Sequence, residues 1–457
     1  MDTKGLLFQR NDEIREIQNR LLKRQLSLLA EASPHYKNLF KKSGFDLTRV
    51  RTVEDLANCP VTSKKDYIND PESFRLVHRD SNIFDTVWQT MYTAGTTTGK
   101  PTPFYYTTYD YYASLEQARK ASEIIGLTPR DLVINLCPLT SVPHAAFHRT
   151  LDICTVTGTP IVSVLTGTRF PEFPVHNSAD YAVAIIEGYR ATCLFGMPSF
   201  IRRLLVQAVN EGRDYSSLRL ICIFGEPCHK GMRDNMHELL TKLGAENIFI
   251  TNCLGSTESS GTLGIECREF GGMHCPAPDL YYIEIVNPDT YSPLPEGEVG
   301  LLCLTHLNRR GTALLRFIMG DMISITFETC PNCGRNGLRL IGEPFRTSEI
   351  VKLKGTLINP DTLKAVLTSI PGIDEYRVIF TKENLNDPFS LDKLKIQISL
   401  REGLNSSEVL TREVMRKVRN AVEVTPDIEI VESTAIYDPR KSLKAIRIVD
   451  ERPRRGE

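Results

Sequence analysis

Residues 218–236 read LRLICIFGEPCHKGMRDNM. A short apolar run ends at Gly225, a Gly-Glu-Pro step follows, and a mixed apolar and charged pattern then opens a helix. A buried strand delivering a turn into a helix is the repeating unit of an α/β sheet. Neighbouring stretches repeat the signal: DLVINLCPL (131–139), GTPIVSVL (158–165), ATCLFG (191–196) and NIFITNCLG (247–255) are short apolar runs, most ending at Gly or close to Pro. Helical patterns such as PSFIRRLLVQAVNEG (198–212) lie between several of them. Further on, 280–307 and 313–328 read as antiparallel strands joined by Pro/Gly turns. Upstream, Ile14, Ile17, Leu21 and Leu28 recur at helical spacing within 12–43, predicting one amphipathic helix or two. Beyond about 345 short strands and two helical stretches predict a small α+β domain. The expected fold class is α/β: an N-terminal domain over 1–345 (helical start 1–80, α/β core 80–265, β-rich subdomain 266–345), followed by a small mobile α+β domain over 346–457.

Composition narrows the function. The 457 residues are 41 % hydrophobic, enough for a sizeable core, and the formal net charge is −1. Nucleic-acid binding normally leaves a basic excess, so that class is disfavoured. No run approaches the ~20 apolar residues of a membrane span. The opening MDTKGLLFQRNDEIREIQNR turns charged at once, without a signal-peptide apolar region, and the expected location is cytoplasmic. Disulfides are then not expected among the 12 cysteines. Most, including Cys222 and Cys303, read as small buried apolar residues.

Several stretches carry candidate chemistry. YTAGTTTGKP (92–101) sets Thr96, Thr97 and Thr98 between Gly95 and Gly99, followed by Lys100. Glycines let backbone N–H groups converge on an anion, and hydroxyls add donors. The Walker spacing is absent, and a plain polar hairpin explains the same residues. TNCLGSTESSG (251–261) follows a strand and carries Ser256, Thr257 and Glu258. LRFIMGDMISI (315–325) offers Arg316 and Asp321, and PRKSLKAIRIVDERP (439–453) offers Lys444.

In this order the motifs resemble the acyl-adenylate-forming superfamily, and within it the phenylacetate–CoA ligase branch. SPHYKNLFKKSGFDLTRVRTVEDLANCPVTSKKDYIND (33–70) and NPDTLKAVL (359–367) extend the resemblance nearly end to end. The resemblance implies ATP-dependent activation of a small carboxylic acid as acyl-AMP, then thioester formation with CoA. A carrier-protein thiol or an amine is the alternative acceptor, and a non-catalytic nucleotide-binding protein is the alternative of another class. It implies that Gly95, Thr96, Thr97, Thr98, Gly99 and Lys100 hold ATP phosphates, that Gly225, Glu226 and Pro227 line the adenine site with Ser256 and Thr257 nearby, that Glu258 binds Mg²⁺, that Asp321 holds the ribose, and that Lys444 reaches the reacting oxygens from the mobile domain. Family members are often dimers, so a homodimer is one implied assembly. The chain departs from the pattern in three places. Its phosphate loop has an extra threonine. Arg346 fits the junction arginine, but Ser348 and Glu349 stand where hinge aspartates are usual. Leu443 replaces the glycine before Lys444, whose spacing to Arg447 favours it over Lys441.

The acyl pocket is expected between 194–200, 223–227 and 252–256. Phe195, Met197, Phe224, Leu254 and Gly255 would form a slot for an aromatic or medium apolar acid, although core packing explains these residues equally well. His148 is a further candidate at the substrate carboxylate. PLTSVPHAAFHRT (138–150) lacks the family's Gly-rich form, which points away from phenylacetate itself. Finally, Cys267 and His274 in ECREFGGMHC, with Cys330 and Cys333 in TCPNCGR, offer a tetrahedral Zn²⁺ set. Cys275 competes with His274, and Cys253 is a weaker alternative. A reduced, metal-free C-x-x-C is the competing reading.

Overall fold

The structure is a computed structural model. It describes residues 5–77, 83–93, 101–139, 145–166, 176–268, 271–346, 351–353, 356–385, 387, 390–401, 407–438 and 445–452. One sheet of 11 strands runs through the large domain. Five of its strands are parallel neighbours in the order Phe249–Ser256, Leu220–Phe224, Cys193–Gly196, Val133–Asn135, Ile161–Ser163. Strands covered on both faces need apolar residues at every position rather than at alternate ones. Leu220, Ile221, Cys222 and Ile223 are accordingly all buried, as are the four residues of Cys193–Gly196.

Phe249–Ser256 is where the pairing changes sense. On its other side the sheet continues antiparallel through Gly261–Glu266, Met273–His274, Arg339–Arg346, Phe317–Thr326, Gly300–His306 and Tyr281–Val286. The β-rich segment is thus hydrogen-bonded continuously to the α/β core. Residues 313–328 supply one long strand, Phe317–Thr326. The N-terminal pattern resolves into helices Asn11–Ala32 and Pro34–Ser43, and Gly44 ends the second in a left-handed conformation. Their Leu22, Leu26, Leu29, Tyr36 and Phe40 join the core beneath the antiparallel strands.

The C-terminal domain is a four-stranded sheet in the order Asp427–Ile430, Asp392–Leu400, Ile373–Lys382, Ile448–Asp450. Helices Pro360–Thr368 and Ser407–Val422 cover it, with Leu363, Leu367, Val414 and Val418 in its core. It docks on the large domain through two features. Arg202, on helix Pro198–Asn210, donates to Asp374 (2.7 Å) and Glu375 (2.9 Å), and its Nε donates to Asn235 (2.8 Å). Glu375 also accepts from Arg447 and is fully buried. Beside this cluster, helix Lys230–Lys242 approaches helix Pro360–Thr368 so closely that a Cβ on Gly231 would lie 2.5 Å from the Thr368 carbonyl oxygen.

Only a residue without a side chain fits that crossing. Gly231→Ala should therefore weaken domain docking by about 1–3 kcal/mol while leaving the large domain folded. Small-angle scattering is expected to show a larger radius of gyration at an unchanged near-UV CD signal. An unaltered radius would contradict the assigned contact.

Candidate active site

A cavity of about 510 Å³ opens at the C-terminal ends of the parallel strands. Strand ends at such a switch point are the usual ligand crevice of open α/β sheets. Phe195, Phe224, Gly225, Glu226, Pro227, Leu254, Gly255, Ser256, Thr257, Glu258, Asp321 and Arg346 all line it. The structure thus gathers most of the described sequence candidates at one place.

Glu258 sits in the tight turn between Ser256 and Gly261, which pair across the hairpin. Its carboxylate is buried and lies 3.6 Å from the Lys64 ammonium. The turn is held from behind by buried polar groups. Tyr106 donates to the Thr257 carbonyl (2.6 Å), Tyr281 donates to that of Ser259, and Arg309 donates to the Ser260 hydroxyl. Gln117 donates to the Thr262 carbonyl (2.6 Å). His306 is fully buried, and burial, reinforced by Arg309, holds its pKa well below 6.5. A neutral ring then has one consistent tautomer: Nε2–H donates to the Glu258 carbonyl (2.9 Å), while Nδ1 accepts from the Leu314 N–H (3.1 Å).

Lys64 arrives by tertiary contact. Thr62 bridges to Phe317, its N–H donating to Arg316 O (2.9 Å) while its carbonyl accepts from Ile318 N–H (2.9 Å). That pins the start of helix Lys64–Asn69 against the strand carrying Asp321. Asp321 and Arg346 are direct cross-strand partners, and Arg346 Nε donates to Asp321 Oδ1 (3.1 Å). Glu226 follows Gly225, whose φ of +82° carries the chain around the end of its strand. The Glu226 Oε2 accepts from the Ser199 N–H at 3.3 Å. From the docked domain, Asp361 and Lys364 also reach the cavity, paired to each other at 2.8 Å.

Gly95, Thr96, Thr97, Thr98, Gly99, Lys100, Ser348, Glu349 and Lys444 lie outside the described residues. The loop's two ends are described. Strands Val87–Tyr92 and Pro103–Thr107 pair antiparallel, Thr93 N–H donates to the Thr102 carbonyl (3.0 Å), and both threonines line the cavity. The two residues that flank the Thr/Gly stretch, Thr93 and Thr102, are thus held together at the cavity wall.

Two expectations are corrected. His148 does not line the cavity. On helix Ala145–Thr157 the lining residues are Ala145, Ala146, Arg149, Thr150 and Ile153, one helical face, and His148 lies beside it against Phe147. Met197 does not line the cavity either; it is buried in the core cluster formed with Phe200, Ile201 and Ile223. The expected slot also lacked Lys64, Arg149 and Ile153. Lys64 stood within a quoted motif, but nothing local marked it.

At a second place, Cys267, His274, Cys330 and Cys333 bring their ligand atoms within 4.8 Å of one another. Cys267 Sγ and Cys330 Sγ are 4.0 Å apart, and Cys333 Sγ lies 3.4 Å from His274 Nε2. Tetrahedral zinc with ~2.3 Å sulfur bonds needs sulfur atoms separated by roughly 3.8 Å. Burial, then Arg335 and Arg339, lower His274 to about 4, leaving a neutral ring able to ligate. Burial raises the Cys330 thiol, but the N–H groups of Cys333 and Asn332 outweigh it and the net shift is downward, toward thiolate. Cys275 is not in this group; burial pushes its thiol up to about 12.

Burial raises the Asp321 pKa above 3.8, only partly opposed by Arg346. A carboxyl whose folded pKa is raised stabilises the fold when protonated and loses that contribution as pH rises through the folded value. Asp321→Asn should therefore melt at a higher temperature than the parent at pH 7, with the difference vanishing as pH falls toward 4. A lower melting temperature at pH 7 would contradict this.

Residues 29–308 match the family described as AMP-binding enzyme, and 355–452 match the AMP-binding enzyme C-terminal domain. The chain is similar to the phenylacetate-coenzyme A ligase of Thermus thermophilus, 27 % identical over 441 residues that span 92 % of this chain and 93 % of that protein. Among solved structures it resembles 2-hydroxyisobutyryl-CoA ligase in the postadenylation state in complex with R3-HIB-AMP. The TM-score is 0.80 at 20 % identity, covering 97 % of this chain and 90 % of that one. Against the same ligase with 2-HIB-AMP and CoA in the thioesterification state the TM-score is 0.65, at 21 % identity over 97 % and 91 %.

Proposed function

Because this chain belongs to the AMP-binding enzyme family, we propose that it activates a carboxylic acid with ATP as acyl-AMP and transfers the acyl group to CoA. The observation that carries this reading is the convergence of Glu258, Asp321 and Glu226 on one cavity that also receives both ends of the Thr/Gly hairpin and two residues of the C-terminal domain. The acid's carboxylate oxygen attacks the α-phosphorus and pyrophosphate leaves. The CoA thiolate then attacks the acyl carbonyl, and AMP leaves.

Two anions must meet in the first step, so cationic groups at the reacting oxygens are the main need. Lys444 would supply a mobile ammonium from the C-terminal domain, and Gly95, Thr96, Thr97, Thr98, Gly99 and Lys100 would hold the leaving phosphates. Asp321 would accept from the ribose hydroxyls, while Gly225, Glu226 and Pro227 would border the base, with Ser256 and Thr257 beside them. Glu258 is a buried, rigidly held carboxylate of the kind that suits Mg²⁺ shared with phosphate oxygens. The ion would neutralise phosphate charge. The Cys267–His274–Cys330–Cys333 set fits structural Zn²⁺ in donor type and spacing, and would tie the 330–335 turn to the sheet. A reducing compartment, the cytoplasm, would keep these thiols available as ligands.

Acid-dependent pyrophosphate release across a panel of aryl and aliphatic acids tests the reading; silence across the panel would sink it. CoA, a carrier protein and amines supplied in turn identify the acceptor, with CoA expected. Lys444→Ala should lower adenylation by about 10²–10³-fold and largely keep thioester formation from supplied acyl-AMP. Equal loss of both steps would remove its half-reaction role. Protein purified without added metal should carry close to one equivalent of zinc by mass spectrometry, and Cys330→Ser should lose it. Less than about half an equivalent would argue for a metal-free thiol pair.

A further inference from the structure

Arg149 occupies the middle of the cavity-lining face of helix Ala145–Thr157, between Ala145 and Ile153. Ile153, Phe195, Phe224, Leu254 and Ile265 give the same cavity an apolar portion, beside polar residues such as Thr150 and Asn252. The side chain is 12 % exposed. Its guanidinium lies 5.7 Å from the Tyr106 ring centre and 5.8 Å from that of Tyr111. Nη1 is paired with Asp152, whose other oxygen accepts from the Tyr111 hydroxyl (2.8 Å). Nε and Nη2 are buried and have no hydrogen-bond partner among the described residues. Arg149 also packs against Gly261; a Cβ there would stand at ordinary contact distance, 3.5 Å, from Arg149 Cδ.

These atoms matter because of how a guanidinium is built. Nε–H and one Nη2–H point the same way along one edge, a rigid two-donor fork matched to a pair of oxygen acceptors. Asp152 takes the remaining nitrogen, so the fork is left over after the structural pairing is complete. A wholly apolar acyl group seated here would leave these two buried donors unsatisfied, the condition attached to any buried, unmade hydrogen bond. An acyl group ending in oxygen would satisfy them. Asp152 already balances the charge, so the acceptor can be an anionic carboxylate or a neutral carbonyl.

We infer that Arg149 is a specificity-determining residue, and that the acid carries a second oxygen function distal to the reacting carboxylate, bound by the Nε–Nη2 edge. This rests on the acid-activating reading above and narrows it from an apolar acid to an oxygenated one.

The test compares matched acids in the pyrophosphate-release assay: hexanoate against its ω-carboxylate adipate and its keto analogue, and phenylacetate against its para-carboxy analogue. The unaltered protein is expected to prefer an oxygenated member by at least about tenfold in kcat/KM. Arg149→Met should erase or invert that preference. Arg149→Lys, which keeps charge but not the fork, should restore it only in part. If acids release pyrophosphate but apolar members equal or exceed their oxygenated partners, the inference is overturned and the acid-activating function stands. If no acid releases pyrophosphate, the underlying function fails, and the inference with it. The comparison within the unaltered protein decides the matter even where a variant does not fold.

Discussion

Everything in the site depends on the change of pairing sense at strand Phe249–Ser256. Its parallel edge ties it to Leu220–Phe224, and its antiparallel edge demands that the chain reverse at once into Gly261–Glu266. The reversal falls at the end of the sheet where the other parallel strands stop. Glu258 is thereby set at the cavity wall by backbone hydrogen bonding. The buried donors of Tyr106, Tyr281, His306, Arg309 and Gln117 finish the work, because a turn enclosed by protein must find partners for its carbonyls within the protein. The antiparallel strands that follow bring Asp321 and Arg346 back to the same wall.

The second constraint is the seating of the small domain. Arg202, Asp374, Glu375 and Arg447 form a nearly dry charge cluster across and beside the domain boundary. Removing water from such charges is costly unless every one is paired, so the cluster favours a single registered arrangement over a sliding contact. Glu226 feels Arg447 and Tyr437 across the same boundary, so this part of the cavity wall and the docking surface share electrostatic partners. If the small domain alternates between half-reactions as proposed, a contact that is either fully made or broken serves that alternation.

Much of this was legible in the sequence, and the reasons are local. Apolar runs closed by Gly or Pro announced the buried parallel strands; Gly-Glu-Pro and Gly-Ser-Thr-Glu marked residues at their ends, where a strand must hand its side chains to a crevice, while Gly-Asp lies within the antiparallel strand Phe317–Thr326. The Cys/His set was legible because two thiolates in one tight turn have few other uses, although joining it to residues about sixty positions away needed the fold. Met197 and His148 were misjudged because a motif gives position along the chain, whereas facing depends on helix phase and on what packs behind. Lys64, Arg149 and His306 escaped notice for the converse reason. Each becomes significant only through a neighbour distant in sequence: Glu258 for Lys64 and His306, and Tyr106 with the cavity for Arg149.

The central claim is that this cavity joins an acid to the α-phosphorus of ATP. Mass spectrometry of AMP formed from an acid with an ¹⁸O-labelled carboxylate tests it most directly. An acyl-AMP route leaves one labelled oxygen on each AMP released when the thiol takes the acyl group. Unlabelled AMP, or label appearing in inorganic phosphate alongside ADP, would contradict it.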